Sequence, residues 1–154
     1  NRDAQFELAE IYMQSENDDH IELAEEWALK AAQLGHVEAM YWLGEGYTAY
    51  AKDLLEEDPA EAKTYFEHAH RWLEQAVKQQ HPAAIFELAN FYRRGDVVEK
   101  DIAKSIEMLE QAAKLGEVQA MRDLVAIYAH GLGVDIDDEK ADFWADQAQQ
   151  ADLQ

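Results

Sequence analysis

The sequence predicts an all-α fold, a solenoid of four helix-turn-helix repeats with about eight helices, and three observations predict it. The pattern Ala-x-x-x-Leu-x-x-x-Tyr occurs at Ala4/Leu8/Tyr12, Ala39/Leu43/Tyr47, Ala84/Leu88/Tyr92 and Ala120/Leu124/Tyr128. Its spacing puts the three side chains on one helical face. Each copy is followed by a second stripe centred on Trp27, Trp72, Met108 or Trp144. The composition also favours helix: Ala is abundant, Pro is confined to Pro59 and Pro82, and most of the 7 Gly lie near expected helix ends. With 48% apolar and 30% charged residues, the chain is foldable rather than disordered. Its 154 residues make one domain's worth of chain, a single repeat domain over 1–154.

Repeat one spans about 1–36. Asp3 is the expected N-cap of a first helix from about Ala4 to Met13, with Leu8, Ile11 and Tyr12 on one face. Ser15 to Asp19 is the turn, and Asp19 with Glu22 has capping-box spacing before a second helix running to about Leu34. Ala24, Trp27, Ala28 and Ala31 form its buried stripe, and Gly35 ends it in a left-handed C-cap.

Repeat two, about 37–81, starts near Val37, and its first helix continues past Tyr47 through Tyr50, Ala51 and Leu54. Asp58-Pro59-Ala60-Glu61 then gives an Asp N-cap, Pro at the first helical position and Glu at the third. That second helix runs to about Gln80, with Ala69, Trp72 and Ala76 buried. Repeat three, about 82–117, has a first helix from Pro82 to Gly95 and a second from near Asp101 to Gly116, through Ser105, Met108 and Ala112. Repeat four, about 118–154, follows Tyr128 with Gly131-Leu132-Gly133-Val134, then places Ala141, Trp144 and Ala148 on its second helix. The polar stretch Gln149 to Gln154 suits a solvent-facing end.

The register holds on counting. Twelve residues separate Trp27 from Ala39, Trp72 from Ala84 and Met108 from Ala120. From the repeat Tyr to the following Trp or Met the steps are 15, 25, 16 and 16. An insertion of about ten residues, within about 48–68, is therefore confined to the hairpin of repeat two. Shared between its helices, it lengthens each by about 7.5 Å, so the pair projects from one edge.

The net charge of −20 repels phosphate backbones and anionic bilayers, which argues against nucleic-acid and membrane-surface partners. It would steer a basic protein toward the chain, and it also keeps a helical array soluble. There is no cysteine, so disulfides and thiolate metal sites are excluded while cytoplasm and periplasm both stay open. No apolar run is long enough to span a membrane. The chain begins at Asn1 rather than Met, consistent with a processed or excised N-terminus.

These residues resemble the Sel-one-like repeat family, a relative of the tetratricopeptide repeat. Ala39-Met40-Tyr41-Trp42-Leu43-Gly44 with Tyr47 is similar to the family's first helix. Gly131-Leu132-Gly133-Val134 and Lys140-Ala141-Asp142-Phe143-Trp144 resemble its turn and second helix, and Ala31-Ala32-Gln33-Leu34-Gly35 and Ala112-Ala113-Lys114-Leu115-Gly116 resemble its close. The resemblance covers nearly the whole chain, although repeats one and two lack the glycine turn. It implies a right-handed α/α superhelix with the first helix of each repeat lining a concave side. It also implies an adaptor or scaffold role, in quality control, bacterial envelope and motility systems, host interaction, or immunity to secreted toxins.

Several residues are candidates for a partner site. Two positions after each repeat Ala stand Phe6, Tyr41, Phe86 and Arg122, a row that would either line the concave face as anchors or pack between repeats. Trp42 occupies a position that is Glu7, Glu87 and Asp123 in the other repeats, so it is the foremost single anchor. Glu45 and Asn90 share one groove position and Arg93 a neighbouring one; repeat three, with six acidic and five basic residues over 81–116, makes the groove charge-graded.

Metal and catalytic readings are weak. His36 and His81 share a turn position and are expected at helix-end carbonyls, while His68 and His70, two apart on a helix, face different ways. Asp135-x-Asp137-x-Glu139 has Lys140 and Asp146 where a calcium loop needs Gly and Glu. Gly131-x-Gly133 is followed by acidic residues and not the Lys-Ser/Thr of a phosphate cradle. No nucleophile stands beside a base, and no cofactor motif is present. The reading is a non-catalytic interaction module, adaptor, scaffold or neutralising immunity-type protein, that holds a protein or peptide through Tyr41, Trp42, Glu45, Phe86, Asn90 and Arg93. The projecting pair around Tyr50 to His70 gives a second contact. A structural segment of a longer solenoid, an acidic mimic that captures a basic protein, and an enzyme are the alternatives.

Overall fold

The computed structural model describes residues 1–15 and 17–153, and among them the chain forms eight α-helices and no strand. They are α1 Arg2–Met13, α2 Asp18–Gln33, α3 Val37–Leu54, α4 Pro59–Lys78, α5 Pro82–Arg94, α6 Ile102–Lys114, α7 Val118–His130 and α8 Asp138–Asp152. They gather into two compact units, Asn1–Gln79 and Gln80–Gln154, each holding two helical hairpins. Within the first unit α1 packs on α2, α2 on α3 and α3 on α4; within the second α5 packs on α6, α6 on α7 and α7 on α8.

Side-chain caps fix every helix start. The first backbone N–H groups of a helix lack intrahelical partners, and here a side chain two or three residues upstream accepts from one of them in all eight helices. Asp58 caps α4 as its spacing predicts, and Asp101 and Asp137 cap α6 and α8. Two expectations are corrected. Asn1, not Asp3, caps α1, and Asn17, not Asp19, caps α2. Asn is as good an acceptor as Asp at this position, and each Asn stands two residues nearer the start. The expected turn from Ser15 to Asp19 includes Glu16, which lies outside the described residues.

The helix ends follow the glycines. Gly35 takes φ +87°, with its N–H bonded to the Ala32 carbonyl and the His36 N–H to that of Ala31, which satisfies two terminal acceptors. Gln80 holds the matching place after α4 at φ +56°, in a region that side chains with a Cβ rarely enter.

The repeat pattern builds the cores. Ala39, Leu43, Ala69, Leu73 and Ala76 are buried in the first unit; Ala84, Leu88, Leu109, Ala112, Ala120 and Leu124 are buried in the second. The stripe differs from expectation at two tryptophans. Trp27 and Trp72 are only half-buried, and Leu73, one residue on from Trp72, is the side chain that fills the α3–α4 contact. Gly44 makes room for it, since a Cβ there would lie 2.6 Å from the Leu73 Cγ. The insertion appears as length: α3 has 18 residues against 13 in α5, and α4 has 20 against 13 in α6. In repeat one Ala4 is exposed and Leu8 is 36% exposed, whereas Leu43, Leu88 and Leu124 are at most 5% exposed.

Candidate interaction site

In the first unit Tyr41 and Trp42 are half-buried and Glu45 is exposed, all on α3. Trp42 lines a cleft of about 450 Å³ with Ile21 and Glu25 of α2, Gly46, Tyr47 and Tyr50 of α3, and Tyr65 of α4. A second hollow of about 330 Å³ shares Glu25, Tyr47 and Tyr65 and adds Glu61 and His68. The insertion makes this cluster possible, because Tyr50 and Tyr65 stand on the extra turns of the long hairpin. Their rings meet edge to face at 4.7 Å, and Tyr47 lies 5.9 Å from Tyr65. Tyr47 donates its hydroxyl proton to Glu25 Oε1 at 2.6 Å. Burial, then the bond to Glu25 and its charge, push the Tyr47 phenol well above its ordinary range. Tyr65 is also raised, by desolvation and then by Tyr50, Glu61 and Glu25.

The second unit places its candidates differently. Phe86 is half-buried, Arg93 is exposed, and Asn90 is buried and accepts from the Arg93 guanidinium at Oδ1 at 2.7 Å. Arg93 also pairs with Asp123 at 3.8 Å. Since Asp123 holds the Trp42 position in repeat four, the register carries an ion pair in one unit and a half-buried aromatic in the other. The row two residues after each repeat Ala is divided. Phe6 stacks on His36 at 4.5 Å between repeats, and Arg122 makes a two-pronged bond to Asp152 at 2.9 and 3.0 Å.

His36 and His81 correct the expectation placed on them. Their Nδ1 atoms accept from the Ala39 and Ala84 N–H groups at 3.2 Å, so each caps the helix that follows instead of the carbonyls of the one before. An extended backbone at both residues turns the ring toward the new helix. Asp137 of the acidic run is likewise an N-cap, accepting from the Lys140 N–H at 3.0 Å. Among the described residues no three His, Cys, Asp or Glu side chains gather closely enough to hold a metal ion, and no helix is long and apolar enough to cross a membrane.

Sequence reasoning found Trp42 but missed the residues that open the cleft beside it. The signal lay in the column before the repeat Tyr, which reads Ile11, Gly46, Phe91 and Ile127, and in the column four before the second-helix Trp or Met, which reads Leu23, His68, Lys104 and Lys140. Repeat two departs from repeats three and four in both columns.

A family model for the Sel1 repeat matches residues 2–36, 37–81, 82–117 and 118–148. An uncharacterised protein of Neisseria meningitidis serogroup B is 31% identical over 121 residues, 79% of this chain and 23% of its own length. Among solved structures, a protective antigen present in uropathogenic Escherichia coli strains and displaying an SLR fold superposes with a TM-score of 0.79 at 26% identity, over 97% of this chain and 30% of its own. A Sel1 repeat protein from Oxalobacter formigenes superposes with a TM-score of 0.80 at 22% identity, over 98% of this chain and 58% of its own. The chain thus spans less than two thirds of the length of each of these relatives.

Proposed function

This chain belongs to the Sel1 repeat family, whose members are generally non-catalytic protein-interaction scaffolds, and from that premise we propose that it is an interaction module for a protein or peptide partner. The reading assigns contact to Tyr41, Trp42 and Glu45 on the first unit and to Phe86 and Arg93 on the second, with buried Asn90 holding the Arg93 side chain in place. The extra turns around Tyr50 to His70 supply a further contact. One observation carries it: Trp42, at a position that is acidic in the other repeats, lines an open cleft walled by tyrosines. Aromatic side chains in a recess are the usual anchors of an interface. The net charge of −20 makes a basic partner the favoured one.

The test is affinity for a partner captured from the native source. Replacing Tyr41 and Trp42 together by Ala should weaken binding by about 2 kcal/mol or more, roughly 30-fold, if they are anchors. Unchanged affinity in a double variant with unaltered helicity and melting would remove the anchors from the interface.

A second reading, a structural segment of a longer array, is favoured by the exposure of Ala4, Leu8 and Ile11 on α1, since the matching Ala39 and Leu43 are buried in repeat two, which packs on a preceding repeat. Self-association in sedimentation that Leu8→Glu abolishes would support it. A monomer at all concentrations would set it aside.

A further inference from the structure

We propose that the repeat-two cleft receives a lysine side chain presented by a basic protein partner, with the ammonium group seated over the Tyr47 ring beside Tyr50, Tyr65 and Glu25. The inference rests on the interaction-module reading and names the chemistry of its partner.

The chain itself supplies the template. In the second unit each first-helix tyrosine carries a lysine from the next helix: Lys104 Nζ lies 4.1 Å from the Tyr92 ring centre and Lys140 Nζ lies 4.6 Å from that of Tyr128. Both ring distances are within the reach of a cation on an aromatic face, and Lys104 also donates to the Tyr92 hydroxyl at 2.8 Å, whereas the Tyr47 hydroxyl is engaged with Glu25. Both lysines stand four residues before the second-helix Met108 or Trp144, and the same register in repeat two holds His68, whose ring centre is 6.0 Å from that of Tyr47. The internal lysine is therefore missing from the one tyrosine that has two further tyrosines around it.

The space it would need is also present. The residue before the repeat tyrosine is Phe91 or Ile127 in the second unit, and both are buried. In repeat two it is Gly46, and a Cβ built there meets nothing within 4 Å. Loss of that side chain opens the cleft between α2, α3 and α4.

Charge selects the occupant. Glu25 gives one carboxylate oxygen to the Tyr47 hydroxyl, and Glu61 lines the adjoining hollow. Among the described residues neither Glu25 nor Glu61 is in a salt bridge. An anion would be repelled by these carboxylates, and a purely apolar group would gain nothing from them. A lysine brings a flexible apolar stem for the aromatic walls and an ammonium for the carboxylates.

The experiment is a ring-proton NMR titration of the whole chain at low salt with Nα-acetyl-lysine methylamide, alongside its Nε-acetylated form, which has no charge. The lysine probe should shift the Trp42, Tyr47, Tyr50 and Tyr65 resonances saturably, and the acetylated probe should bind at least about tenfold more weakly. His68→Lys restores the internal lysine, and Gly46→Ile restores the side chain of repeat four. Each should abolish the shifts while leaving the melting temperature unchanged or raised. Unmoved rings in the wild type, equal shifts with both probes, or wild-type binding by either folded variant overturns the proposal. Loss of a protein partner on replacing Tyr41 and Trp42, with rings that ignore the lysine probe, would keep the interaction module and discard the lysine site.

Discussion

In repeat four, Tyr128 is buried, donates to Glu110 at 2.5 Å and lies under Lys140. In repeat two, Tyr47 makes a similar bond to Glu25 at 2.6 Å, but it is half-exposed and lines an open cleft. The packing positions agree: Ala39 and Ala120, and Leu43 and Leu124, are buried alike. The difference sits in columns beside them, Gly46 against Ile127 and His68 against Lys140. A repeat array can therefore open a cleft without touching the residues that stack it, because the stacking residues occupy one helical face and the cleft residues the next.

The contrast can be broken most forcefully at the α3–α4 contact. Gly44 occupies the position of Ala89 and Val125 in repeats three and four, yet a Cβ at Gly44 would collide with Leu73. Leu73→Ala should cost about 2–5 kcal/mol in chemical denaturation, and Gly44→Ala about 1–3 kcal/mol through overpacking. The double variant should lose less than the sum, because removing the Leu73 branch makes room for the new methyl group. Additive losses would show that the two residues do not share that space.

A smaller effect tests what the two units have in common. His36 and His81 cap α3 and α5 in the same way, so His36→Ala and His81→Ala should each cost about 1 kcal/mol, with Asn restoring most of it. A large loss at one and none at the other would mean that the caps differ between the units.

A further effect is alkaline. Burial, followed by the bond to Glu110, pushes the Tyr128 phenol up to about 12 from an ordinary 10.0. The folded chain holds that proton more tightly than the unfolded chain, so the stabilisation is complete below pH 10 and is lost as the pH rises through about 12. Tyr47 is raised in the same direction. Tyrosinate absorbance should therefore show late-titrating phenols, of which Tyr47→Phe and Tyr128→Phe each remove one. A titration in which all phenols ionise together near 10 would deny both carboxylate bonds.

Much of the fold is legible because local chemistry dictates it. The Asp58-Pro59 start, the Gly95 and Gly131 stops and the repeated Ala-Leu-Tyr face act within a few residues, and the register count confines the insertion to one hairpin. The failures are positions where short-range rules give two answers. Asn1 and Asp3 are both good caps, and the structure uses the earlier one. Trp72 and Leu73 are adjacent apolar residues, and the closeness that Gly44 allows between α3 and α4 decides which is buried. Of the candidate site, Trp42 stood out by comparing repeats. The cleft did not, because it is made by an absent side chain at Gly46 and an exchanged one at His68, and a missing group is visible only when columns are compared with their packed counterparts. Asn90 and Arg93 were legible as polar groove residues, but not as partners of each other and of Asp123.

The most direct test reads both units in one titration. As the lysine probe is added to the intact chain, the Tyr47, Tyr50, Tyr65 and Trp42 rings of the first unit should shift and saturate together. The Tyr92 and Tyr128 rings, already covered by Lys104 and Lys140, should stay where they are. Equal movement of the tyrosines in both units would contradict the account, because it would show that neither the internal lysines nor the space above Gly46 sets repeat two apart.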